Sequence, residues 1–336
     1  MQKSLDTKIS RILQDSSVND FIIADAKDAD MGFGLGSGGS NTGADADRFP
    51  FRSLDWYREA MRQVTKQGLI DIMLISASTN EVLTIDERLF EDSHITPAAR
   101  ANDTTDIWLG ESGGYKHDLA RNFRSATIDH IQSGRLDPTD DDRQRGANLG
   151  LYSITFNNDI ERDHEALTQY GEFRVEAEQK GFRHFLEVFA PNAPQNLTES
   201  QIPRFVNDSI VRCLAGVTRA GRPLFLKMPY FGPAAMEQLA AYDSTIVPGI
   251  LGGPSGTTHD AFRMLWEAKK YGARAALFGR KINNAEDQLA CVQMLRLLAD
   301  GDIEPAEAVK AYHGELQTLG LEPFRSLEDD LVLTQV

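Results

Sequence analysis

The chain has 336 residues, 41% of them hydrophobic, enough to bury a substantial core in one large α/β domain or two small ones. A formal net charge of −15 argues against a nucleic-acid-binding surface, which needs a basic face, and leaves room for a small anionic ligand only in a local basic pocket. The two cysteines, Cys213 and Cys291, have no metal-ligand spacing; no apolar run reaches the roughly 20 residues that span a bilayer, and residues 1–20 lack signal-peptide character, so a cytoplasmic protein with free thiols is expected.

Strand-like runs at residues 21–26, 69–76, 106–110, 149–156, 182–190, 223–229, 245–251 and 274–278 alternate with helical segments. Helix signatures are clearest at residues 53–68, which open on a capping Ser53 and end on Gly68, and at residues 258–272, where Phe262, Leu265 and Trp266 share a face. Residues 198–221 also start with a capping residue and end on glycine. Eight repeats of strand and helix predict a (β/α)₈ TIM barrel over about residues 21–300, closed by a helical segment at 303–320, with residues 1–336 forming a single barrel domain. Two stretches depart from a minimal barrel. The glycine-rich insertion at residues 31–50 follows the first strand, so it sits at the catalytic face, either as a lid or as a disordered loop. The enlarged segment at residues 91–147, around strand 3, is expected to add helices and is a candidate for the interface of a homo-oligomer.

Barrel chemistry comes from the carboxyl ends of the strands, and polar residues gather there. The first strand ends in Asp25-Ala26-Lys27-Asp28, and alternation puts Asp25 and Lys27 on one face. Asp25 either orients a substrate hydroxyl or neutralises Lys27, and Lys27 is either a substrate-binding cation or a rival nucleophile. The fourth strand carries Tyr152, a proton relay or a core tyrosine, and the fifth carries Glu187 within Phe185-Leu186-Glu187-Val188-Phe189. Glu187 is a general acid or base in an apolar strand, or the ion-pair partner of a buried lysine. That lysine is Lys227, set in Pro223-Leu224-Phe225-Leu226-Lys227-Met228-Pro229. Burying an unpaired ammonium is costly, which favours the neutral amine, the nucleophile of Schiff-base chemistry; the alternative is a lysine that reaches water at the strand end. The seventh strand leads into Gly252-Gly253-Pro254-Ser255-Gly256 and a helix, and the eighth into Gly279-Arg280. Close backbone approach, a helix N-terminus and a guanidinium are what a phosphate group requires. His164, His184 and His259 have no metal-ligand spacing.

These residues resemble the class I (Schiff-base) aldolase family, the group that includes archaeal-type fructose-bisphosphate, tagatose-bisphosphate and deoxyribose-phosphate aldolases. Lys227 matches the family's sixth-strand lysine by strand count, and Phe185-Leu186-Glu187 is similar to the acidic strand of the tagatose-bisphosphate branch. Gly252-Gly253-Pro254 and Phe278-Gly279-Arg280-Lys281-Ile282 resemble its phosphate-binding turns, and Ala24-Asp25 its hydroxyl-binding aspartate. The fourth strand lacks the lysine of the tagatose-bisphosphate branch. The resemblance implies an aldehyde-lyase that acts on a phosphorylated sugar or ketose, with Lys227 forming the imine, Glu187 or Tyr152 moving the proton, Asp25 orienting hydroxyls, and Gly253, Gly279 and Arg280 holding phosphate. It implies no cofactor and no metal, since the iminium polarises the substrate. Two alternatives stand beside it: a catalytically silent sugar-phosphate-binding barrel, and a metal-assisted barrel enzyme using Asp25, Glu187 and a histidine.

Overall fold

The computed structural model describes residues 1–108, 113–253 and 256–334. Eight parallel strands run Ile22–Lys27 (β1), Ile72–Ile75 (β2), Thr96–Arg100 (β3), Leu149–Thr155 (β4), Arg183–Phe189 (β5), Leu226–Lys227 (β6), Gly249–Leu251 (β7) and Ala275–Phe278 (β8). From β1 to β6 each pairs with the next in chain order, and β1 also pairs with β8, which pairs with β7. Between β6 and β7 the sheet closes through a Met228–Ile250 bridge, with Met228 N–H donating to the Gly249 carbonyl at 3.0 Å and Leu251 N–H to the Met228 carbonyl at 2.9 Å. A side chain at Gly249 would stand 2.3 Å from the Leu226 carbonyl oxygen, so only glycine lets this seam come together. The architecture is the TIM barrel that the alternation predicts.

Alternation along the strands sorts the side chains into two layers. Ile22, Ala24, Ala26, Ile72, Leu74, Ala98, Leu149, Leu151, Phe185 and Leu277 share one buried cluster, the barrel interior. The intervening residues, among them Ile23, Met73, Tyr152, Ile154 and Leu186, pack outward against the helices. The amino-terminal end of the barrel is plugged by a helix at Ser4–Gln14, whose Leu5, Ile9 and Ile12 join the interior cluster. Lys8 of this helix reaches Asp71, just before β2, at 2.7 Å.

The third strand corrects the sequence expectation. Residues Thr105–Ile107 form a single 3₁₀ turn, and Leu109 and Gly110 lie outside the described residues. The barrel position is filled instead by Thr96–Arg100, whose proline and two alanines lack the β-branched signature of a strand. Among the described residues, 91–147 otherwise contribute a short ribbon, Asp103–Thr104 against Asn122–Phe123, one α-helix, Ile128–Ser133, and 3₁₀ turns at Tyr115–His117 and Asp142–Gln144. The helix expected at residues 53–68 is observed at Leu54–Gln67, with Ser53 accepting from Trp56 N–H and Gly68 in the left-handed conformation at φ 74°.

Candidate active site

At the carboxyl ends of the strands the inward positions change from apolar to charged. Sheet register sets Ser153 of β4 beside Glu187 of β5, and Glu187 beside Lys227 of β6. Lys227 Nζ stands 2.7 Å from Glu187 Oε1, with both side chains almost wholly buried. The other carboxylate oxygen, Oε2, accepts from the Ser153 hydroxyl at 2.7 Å and from Arg100 Nη2 of β3 at 3.3 Å. Arg100 donates through Nε to Asp28, just past β1, at 2.6 Å, and through Nη1 to Ser153 Oγ at 3.0 Å. Two cations and two anions thus form one buried, charge-balanced network, which removing any single member would leave with an uncompensated charge.

The fields within this network are strong. Burial alone would raise the Asp28 carboxyl, but the charges of Arg100 and Lys227 hold it below its ordinary value. Burial works against the Arg100 charge, and Asp28 and Glu187 more than offset it, so the guanidinium stays ionised. Asp28, Arg100, Glu187 and Lys227 line a cavity of about 680 Å³, a volume suited to a small ligand.

Three sequence-derived candidates are not brought to this cavity. Asp25 and Lys27 share a face, as alternation requires, but that face points outward to the helices. Lys27 Nζ lies 3.6 Å from Asp25, donates to Gln288 Oε1 at 2.7 Å and to Asn283 Oδ1 at 3.3 Å, and sits over the Tyr57 ring. Both are fully buried, and burial, only partly countered by Lys27, pushes the Asp25 carboxyl up to about 6. Tyr152 also faces outward, its ring 5.0 Å from Tyr170 and 4.6 Å from Phe173, and burial pushes its hydroxyl up to about 12. Alternation fixes which residues share a face; it does not say which face is inside. Asp28 and Ser153, each on the opposite face from the expected residue, are the groups that reach the cavity.

Gly252, Gly253, Gly279 and Arg280 all border the cavity, joined by Lys281 and Arg52. The helix Thr258–Lys270, expected to present its N-terminus to a phosphate, is already capped. Thr257 N–H donates to Asp260 Oδ2 and Thr258 N–H to Asp330 Oδ1, each at 2.8 Å, so carboxylates of the chain itself occupy those donors. Pro254 and Ser255 lie outside the described residues. The glycine-rich insertion folds over the cavity, lining it with Gly32, Phe33, Gly36 and Ser37. Its neck is pinned by an antiparallel bridge between Ser40 and Phe51 and by Arg52 N–H donating to the Gly39 carbonyl at 3.0 Å, with Gly39 at φ 81°. Sequence reasoning passed over Arg52 and Arg100, and quoted Lys281 within a motif without giving it a role. Arg100 lay in a stretch without a strand signal, whereas Lys281 stood in plain view next to Arg280.

No protein-family profile matches the chain, and no curated protein matches it by sequence. Solved structures do match in fold. An archaeal fructose 1,6-bisphosphate aldolase superimposes with a TM-score of 0.61 at 14% identity, covering 88% of this chain and 99% of its own. A second archaeal structure, of a fructose-1,6-bisphosphate aldolase whose catalytic lysine is covalently bound to the carbinolamine intermediate, gives 0.59 at 13% identity, covering 87% of this chain and 99% of that one. Fructose-bisphosphate aldolase from Plasmodium falciparum gives 0.54 at 10% identity, covering 93% and 96%. At these identities the shared feature is the barrel, which hosts many chemistries.

Proposed function

We propose that the protein is a class I aldolase or related lyase that forms or cleaves a carbon–carbon bond in a phosphorylated sugar or keto compound through a Schiff base on Lys227. The observation that carries this is the 2.7 Å approach of Lys227 Nζ to Glu187 Oε1 at the carboxyl end of the barrel, inside the cavity. A buried lysine is a nucleophile only if a base takes its proton, and Glu187 is placed to do so. The neutral amine then adds to the substrate carbonyl to give a carbinolamine. Glu187, now protonated, returns its proton to the departing hydroxyl, and water leaves an iminium on Lys227. Glu187, again a carboxylate, takes the proton of the hydroxyl on the β carbon; that carbon leaves as a carbonyl fragment, and the electron pair of the broken Cα–Cβ bond flows into the iminium, forming an enamine. Protonation of the enamine and hydrolysis of the resulting imine restore the amine. Because Glu187 Oε2 is fixed by Ser153 and Arg100, Oε1 remains the oxygen that exchanges protons.

Asp28 takes the hydroxyl-orienting role expected of Asp25, as an ionised acceptor held by Arg100. Gly253, Gly279 and Arg280 hold the phosphate, and the folded insertion acts as the lid. The metal-assisted alternative loses support because its donors are dispersed: Asp25 faces the helices, and His184 is bonded to Tyr170 on the barrel's outer face. The silent binder is separated by kinetics. Glu187→Gln is expected to lower kcat by about 10²–10⁴ while leaving phosphate binding intact. Equal turnover in wild type and variant would remove Glu187 from the mechanism.

A further inference from the structure

The cavity's charges divide into two groups that behave differently. In the deep group, Arg100 and Lys227 are matched by Asp28 and Glu187. That balance survives the proposed chemistry, because an iminium carries the same positive charge as the ammonium it replaces. A second anionic group placed there would compete with two carboxylates already in contact with the cations.

At the mouth the opposite holds. Arg52, Arg280 and Lys281 border the same cavity, and no ion pair joins any of them to a carboxylate among the described residues, although Lys281 feels the charges of Asp260 and Asp330. The three cations also gather at one place. Arg280 and Lys281 follow directly on β8. A Cβ at Gly39 would lie 3.3 Å from Asn283 and Asn284 side-chain atoms and 4.0 Å from Arg52 Nη1, which sets the Arg52 guanidinium beside the turn that follows Arg280 and Lys281. The Lys281 stem runs close to Gly252, whose backbone opens on the cavity. Across the cavity, the wall from β3 to β5 offers Ile107 and Phe189, and its one described cation, Arg100, is committed.

From this asymmetry, and resting on the function proposed above, we infer that the substrate carries a single phosphate, clamped at the β8 side by Arg52, Arg280 and Lys281, with an uncharged remainder extending towards Ile107 and Phe189. A carboxylate would need only one of these cations, whereas a phosphate monoester, with about two charges and three free oxygens, matches all three. A bisphosphate would find no uncommitted cation at its far end among the described residues. Arg52 is then a specificity residue at the neck of the insertion, where its N–H donates to the Gly39 carbonyl, which links phosphate capture to the loop that covers the site.

Calorimetric titration with inorganic phosphate tests the inference without reference to the Schiff base. One phosphate per chain is expected, with Kd raised about tenfold or more in Arg52→Ala and in Arg280→Ala. Two phosphates per chain, no binding at millimolar phosphate, or an unchanged Kd in Arg52→Ala would overturn it. Borohydride trapping with fructose 1-phosphate, fructose 6-phosphate and fructose 1,6-bisphosphate provides the second arm. Trapping of a monophosphate at least as efficient as that of the bisphosphate supports a single clamp, and a bisphosphate preferred about tenfold over both contradicts it. One bound phosphate with no trapped sugar would sink the Schiff-base mechanism and leave the anion clamp standing.

Discussion

At the residue scale, the decisive distinction is between two carboxylates three positions apart. Asp25 and Asp28 sit on the same strand end, yet their environments push them in opposite directions. The Asp28 carboxyl is held low by Arg100 and Lys227, so its contribution to stability is present above about pH 4, the unfolded value, and is lost as pH falls through the folded one. The Asp25 carboxyl is raised to about 6, so its contribution is present below about pH 4 and is lost as pH rises through that value. Thermal midpoints measured against pH should therefore lose part of their acid sensitivity in Asp28→Asn and part of their decline between about pH 4 and 6 in Asp25→Asn. Identical profiles in both variants would show that the two carboxylates are not differently paired. Tyr152 offers a sharper check. Facing the helices, it is expected to tolerate Tyr152→Phe with kcat within about twofold of wild type and a stability cost of about 1 kcal/mol for the lost hydroxyl; a hundredfold loss of kcat would return it to the mechanism. Lys227 and Glu187 stood out in the sequence because a charge inside an apolar strand is conspicuous, and both line the cavity. Asp28 and Ser153 were hidden by a parity that only the closed barrel resolves.

Elements were legible where local chemistry dominates. Ser53 and Gly68 bracket their helix because a side-chain cap and a left-handed glycine are local devices. The strand at Thr96–Arg100 was illegible because its place is decided by β2 and β4 on either side, with Ala98 and Arg100 selected for the interior and no propensity of its own. The helix Thr258–Lys270 shows a third case, in which a correctly placed element has its terminus spent on a distant segment. Its first turn is held by Asp330, which also meets His313 Nε2 at 3.0 Å, while His259 Nδ1 bonds the Leu331 carbonyl at 2.7 Å. Asp330 is buried, so Asp330→Ala should destabilise the fold by about 1–3 kcal/mol, the cost of unpaired buried polar groups, as read by denaturant unfolding. No change in the unfolding midpoint would mean that the C-terminal strap is not anchored there.

On the scale of the whole molecule, the alternating pattern gave the barrel but not its plug. The helix Ser4–Gln14 reads as polar, yet Leu5, Ile9 and Ile12 recur at helical spacing and seal the end of the barrel opposite the cavity. Leu5→Ala is expected to cost about 2–5 kcal/mol in equilibrium unfolding, since the rigid strands around it cannot collapse into the space; a cost near zero would mean that the plug is dispensable. One end of the barrel is closed by apolar packing, and the other holds the charged cavity that the insertion lines. That division places the weight of the account on one bond, between Lys227 and a substrate carbonyl. The most direct test is borohydride reduction in the presence of dihydroxyacetone phosphate and singly phosphorylated sugars, followed by intact mass and peptide mapping. The account predicts an adduct on Lys227 that Lys227→Met abolishes in a protein that still folds. An adduct on another lysine, or none from folded wild-type protein with any of these compounds, would contradict it.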